Sequence, residues 1–167
     1  MSITEADRNL RLGVEDMNRK SRDLTIHIDR VVDKYFDELD RAIDEIYELL
    51  KAEDVSLSEV NHYIGLLPVL MYQAGNSLEN LGVNGDLSTA SYKDSFNEYY
   101  MKSKGKTVQD KTSDAEQHTI QEKLIQNIYQ RAYKKCKLRL EYAVETLASL
   151  KKIHAWKMTE LERLNSR

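Results

Sequence analysis

The residues best equipped for chemistry in this chain are basic and aromatic. Between Lys102 and Lys137 there are 9 Lys/Arg against 4 Asp/Glu, a local balance of +5. Lys102, Lys104, Lys106 and Lys111 come first. Arg131, Lys134, Lys135 and Lys137 follow, and the first three of these stand three and four residues apart, on one face of a helix. Cationic side chains at this density suit phosphates, and counterion release makes such contacts salt-dependent. Tyr99 and Tyr100 directly precede the first lysines, and aromatic faces stack on any base. Together they form a candidate surface for single-stranded nucleic acid. The competing reading is a tyrosine core beside a solvated helix face, or one paired to acidic residues elsewhere in the chain.

Other chemistry finds little support. His27, His62, His118 and His154 lie in different segments, and no Ser-elbow, Walker or GxGxxG motif occurs. Cys136 falls at an apolar seam position, where burial raises a thiol's pKa and quenches it. No CxxC or HExxH is present. Glu59 and His62 make a Glu-x-x-His element like that of di-iron bundles, but no second one accompanies it. The expectation is a non-enzyme without metal or cofactor.

A long helical frame must position the basic and aromatic residues. Only six Gly and one Pro occur in 167 residues, which favours long helices. Residues 1–20 are polar and read as a frayed or flexible arm. Residues 21–52 form the first strong helix, with Ser21 as a candidate N-cap. Its apolar series Leu24, Ile28, Val31, Tyr35, Leu39, Ala42, Ile46, Leu49 approximates a coiled-coil seam. Its other face is acidic, with Asp29, Asp33, Asp37, Glu38 and Asp40 among its members. Ser56 or Ser58 caps a second helix, 57–81. There Leu66–Met71 is apolar all round and reads as the most buried stretch, and Pro68 predicts a kink. Gly82 is a natural helix stop, and Val83–Asp86 reads as a turn. A tyrosine-rich third helix spans 87–103. After a lysine loop, Thr112 or Ser113 caps a last helix, 114–164. Its basic middle faces a ligand, and Leu147, Leu150, His154, Trp156, Met158 and Leu161 are its candidate oligomer contacts.

Charge divides the chain. Residues 1–101 hold 10 Lys/Arg and 20 Asp/Glu, a balance of −10, and residues 102–167 hold 15 and 8, a balance of +7. Such asymmetry implies an anionic partner for the basic half or contact between the halves. The longest apolar run, Leu66–Tyr72, is far below the roughly 20 residues of a membrane span. The start of the chain is polar and there is one Cys, so the expectation is a cytoplasmic protein without a membrane partner.

The layout resembles a known group. Leu66-Leu-Pro-Val-Leu70, Tyr99-Tyr-Met-Lys-Ser-Lys-Gly-Lys-Thr-Val108, Ser113-Asp-Ala-Glu116, the Tyr133-Lys-Lys run and Leu147-Ala-Ser-Leu-Lys-Lys152 follow one another as in phage recombination mediators of the UvsY type. The likeness covers about residues 66–158; the acidic first helix departs from it. It implies a small helical protein of phage or prophage origin that forms ring-like oligomers in the host cytoplasm. It also implies binding to single-stranded DNA, with a recombinase or a single-strand-binding protein as further partners. The sequence expectation is therefore an all-α, homo-oligomeric protein of three to four helices in coiled-coil or bundle packing. It would act as a single-stranded DNA-binding accessory in phage recombination or replication. The alternative is a helical protein–protein adaptor, scaffold or inhibitor that binds no nucleic acid.

Overall fold

The computed structural model describes the backbone of residues 3–52 and 55–166, and side chains from Asn18 onward. Every regular element in this range is a helix: α1 (Ile3–Lys51), α2 (Leu57–Lys102), α3 (Val108–His118) and α4 (Ile120–Asn165). At ~1.5 Å per residue the three long helices each extend about 70 Å. None is both long and apolar enough to cross a membrane.

The three long helices pack side by side. α2 runs antiparallel to α4, since Gly82 lies under Tyr133 and Gly85 under Tyr129, while Thr89 hydrogen-bonds Gln126 further up α2 and further down α4. α1 runs antiparallel to α2, where Tyr63 donates to Glu45 at 3.0 Å. Apolar residues at seven-residue intervals make the common core. They are Val32, Leu39 and Ile46 on α1, Val60, Leu67, Ala74 and Leu81 on α2, and Cys136, Ala143 and Leu150 on α4. Two or so turns of helix separate successive members, so each helix offers one continuous stripe. Alanines at positions 42, 74, 132 and 143 are fully or nearly buried, which lets the helix axes approach closely.

The observed helices are longer than the periodicity predicts. α1 continues back through the expected arm to Ile3. The side chains of that arm up to Met17 lie outside the described residues. Ser21 is no cap: its carbonyl accepts from Thr25 Oγ1 at 2.9 Å, inside a continuous helix. α2 likewise does not stop at Gly82, and no turn forms over Val83–Asp86. Neither glycine has positive φ. A Cβ on Gly82 would sit 3.4 Å from the Tyr133 ring, so glycine there admits a neighbouring helix. Ser88 and Thr89 both donate to the Gly85 carbonyl, at 2.8 and 2.9 Å.

Two further expectations are revised. Leu66–Met71 is not buried all round: Leu67 is enclosed, but Val69 is 54% exposed, because only one side of α2 faces α1 and α4. α2 stays helical across Pro68. The expected last helix is two helices. Its true start is Thr107, which forms a capping box with Asp110; each backbone N–H reaches the other's side chain at 3.1 Å. Thr112 instead donates to Val108 O within α3. The chain then breaks at the buried Thr119, whose hydroxyl donates to Ala115 O at 2.8 Å. Ser56 does cap α2, accepting from Glu59 N at 3.4 Å.

Candidate nucleic-acid interface

The basic residues singled out from sequence fall into three environments. The first is local pairing at the end of α2, where Lys102 pairs with Glu98 one turn earlier. That hydrogen bond, with the attraction behind it, lowers the Glu98 carboxyl below its ordinary range. Lys111 lies 6.0 Å over the Tyr100 ring. Lys104 and Lys106 are exposed in the α2–α3 loop.

The second environment is the α1–α4 contact. Lys135 pairs with Asp29, and Arg139 pairs with Asp40 and stands 3.9 Å from Asp33. The acidic helix therefore neutralises part of the basic one directly. Lys135 thus belongs to an internal ion pair in this arrangement. Burial raises the Asp40 carboxyl, helped by Asp33 and Asp44 and opposed by Arg139.

The third environment is the outward side of α4. From Lys123 to Leu140 the helix holds six Lys/Arg and no acid. Two of them are the residues paired to α1. Arg131, Lys134 and Lys137 are exposed and form no ion pair among the described residues. Lys134 and Lys137 border an open groove between α2 and α4 of about 620 Å³, shared with Tyr129, Tyr133, Gly82, Gly85, Glu79 and Asp86. Gly82 and Gly85 let α4 come close along one edge of this groove, with the Tyr133 ring against Gly82 and Tyr129 Cβ against Gly85. Sequence reasoning missed Lys123, Tyr129 and Tyr133 as members. The acid-free run and the four-residue spacing of the two tyrosines were the available signals.

The aromatic segment of α2 turns inward on its own chain. Tyr99 stacks on His118 at 4.7 Å between centroids and 20° between planes, and Phe96 stacks on Tyr100 at 6.2 Å and 19°. Tyr92 adjoins Phe96, with Lys123 6.0 Å over its ring. These contacts clamp the end of α2 to α3 and to the start of α4. Tyr100 is half-buried in the ladder, while Tyr99 keeps one partly exposed face. Beside the unpaired basic residues, Tyr133 packs on Gly82 with one side exposed, and Tyr129 is half-buried against the core; both border the groove.

The expected oligomer contacts also divide. Leu150 is fully buried and Leu147 half-buried against the chain's own core. Leu150 is consumed within one chain because α1 and α2 reach that level. His154 is half-buried, and Trp156, Met158 and Leu161 are exposed near the end of α4. Cys136 is enclosed beneath Arg139 and Lys135, and burial pushes its thiol up to about 11. No cluster of three or more His, Cys, Asp or Glu suited to a metal occurs among the described residues.

Comparison with protein-family models, with curated proteins and with solved structures finds no match to this chain.

Proposed function

We propose that the chain is a non-enzymatic helical protein that binds single-stranded nucleic acid along the outward side of α4 and the adjoining α2–α4 groove. One observation carries this reading. Along the acid-free run of α4, Asp29, Asp33 and Asp40 of α1 compensate Lys135 and Arg139 but leave Arg131, Lys134 and Lys137 unpaired, the last two bordering the groove that holds Tyr129 and Tyr133. Phosphates would meet Arg131, Lys134 and Lys137, with Lys104 and Lys106 extending the track, and bases would stack on Tyr133 or Tyr129. The likeness to phage recombination mediators narrows the reading to single-stranded DNA and an accessory role in recombination or replication.

The test is fluorescence anisotropy with labelled oligo-dT across a salt series. Three to five phosphate contacts give a slope of log K against log salt of about −2 to −3.5. Lys134→Glu with Lys137→Glu should weaken binding and flatten the slope by about one unit or more. No binding at low salt, or binding that neither salt nor the double substitution alters, rejects the proposal.

A second reading is favoured by a separate observation. Large apolar side chains including Leu138, Tyr142, Val144 and Trp156 lie exposed along α4, as on a helical adaptor or scaffold. Recovery of one stoichiometric protein partner that survives nuclease treatment would favour it over nucleic-acid binding.

A further inference from the structure

The α2–α4 groove carries one sign of charge on each wall. On α4, Lys134 and Lys137 lie within a run from Lys123 to Leu140 that holds no acid. On α2, Glu79 and Asp86 are the only charged residues between Glu59 and Lys93, and both line this groove. Glu79, Gly82, Asp86 and Thr89 follow at steps of 3, 4 and 3, so they share one helix face. Both acids are exposed, and neither forms an ion pair among the described residues. The two carboxylates therefore remain available on the wall that has no cation.

An acid beside a phosphate costs binding, because like charges repel. That cost sets which way a strand lies: phosphates keep to the cations of α4, and base edges turn toward α2. Tyr133 and Tyr129 stand where the walls meet, against Gly82 and Gly85. A base stacked on either tyrosine therefore has Glu79 or Asp86 as its neighbour on the α2 side. A carboxylate accepts hydrogen bonds and donates none. Cytosine N4 and adenine N6 are donors, whereas thymine presents the O4 acceptor at the corresponding place. The other polar groups of the groove make no such choice. The Thr89 hydroxyl already donates to Gly85 O and accepts from Gln126, and the Gln130 amide both donates and accepts. Glu79 and Asp86 are seven residues apart, about 10 Å along the helix. Bases of one strand repeat every ~3.4 Å when stacked, so the two acids meet different bases.

We propose that Glu79 and Asp86 are specificity-determining residues that make the groove prefer bases with an exocyclic amino group over thymine. The proposal rests on the reading of this groove as a single-strand interface, and it adds a base preference to a surface that would otherwise read only phosphates.

The test compares labelled oligo-dC with oligo-dT of equal length by anisotropy at neutral pH, since the two pyrimidines match in size. Oligo-dC should bind more tightly by roughly 5- to 30-fold, the worth of two net hydrogen bonds. Both strands should keep the same salt slope, because phosphates carry it. Glu79→Gln with Asp86→Asn should bring the ratio close to one, chiefly by strengthening oligo-dT, since an amide also donates to thymine O4. Helical circular dichroism should not change, as both side chains are exposed. A strand of N4,N4-dimethylcytosine keeps the ring but lacks the donor, and it should lose the advantage of oligo-dC on the parent protein. Equal, salt-dependent binding of oligo-dC and oligo-dT overturns the proposal and leaves the groove reading intact. A preference that survives the double substitution also overturns it. If the double variant loses helicity, the dimethylcytosine strand decides: loss of the preference supports the proposal and retention overturns it. Binding of neither strand at low salt rejects the groove reading, and this proposal with it.

Discussion

Replacing Arg139 by Met isolates the electrostatic link between α1 and α4. The unbranched methionine keeps much of the stem's packing and removes the guanidinium. Arg139 and Asp40 have side-chain exposures of 25% and 32%, and Asp33, at 3.9 Å, is 62% exposed. Exposed pairs contribute ~0–1 kcal/mol, whereas stripping one partner from a buried pair costs ~3–5 kcal/mol. A pair one-quarter to one-third exposed falls between, so the expected loss at neutral pH is about 1.5–2.5 kcal/mol. For a chain of this size that is a fall in Tm of roughly 3–10 °C. The pH dependence is the sharper signature. Burial raises the Asp40 carboxyl, so the folded chain holds that proton more tightly than the unfolded chain. Its stability contribution is full below the unfolded value near pH ~4 and is lost as pH rises through the folded value. Removing Arg139 raises that carboxyl further and deepens the loss. Urea unfolding of parent and variant should therefore nearly coincide at pH ~3 and separate on the way to pH ~6. Adding Asp40→Asn to the variant should recover part of the gap. A gap of equal size at pH 3 and pH 7 would refute the reasoning, because the cost would then be one of packing.

Three other outcomes follow from the same structure. Gly75→Ala should stabilise by about 0.5–1 kcal/mol, since Gly75 is helical and nothing lies within 4 Å of its added Cβ. Gly105→Ala should instead destabilise, because its Cβ would fall 2.7 Å from Asp110 Cβ and 3.0 Å from Lys111 N; urea midpoints of the two variants should move in opposite directions. Cys136, with its thiol pushed up to about 11, should resist iodoacetamide at pH 8 in the folded chain and react once urea unfolds it, as mass spectrometry would report; rapid labelling without denaturant would contradict its burial.

The all-helical class was legible in the sequence because scarce glycine and proline, a 3.5-residue apolar rhythm and abundant helix formers all act locally. Where the rhythm was interrupted, local signals misled. Gly82, Asn84 and Gly85 look like a turn, but a helical glycine is also the answer when another helix must come close, and only Tyr133, 51 positions along the chain, supplies that reason. Thr112 and Ser113 are plausible caps, yet Thr107 has the Asp110 partner that completes a reciprocal pair of bonds. The same division governs the candidate interface. Charge asymmetry, the acid-free run and its lysines are properties of composition, fixed before folding. Which cations stay available is decided by distance. α1 must dock before Asp29 and Asp40 can claim Lys135 and Arg139, and α2 must pass α4 before Tyr129 and Tyr133 border a groove with Lys134 and Lys137. Sequence sets how much charge and apolar surface the chain owns, because those belong to single residues. Tertiary packing sets how much of either remains for a partner, because neutralisation and burial each require two groups brought together.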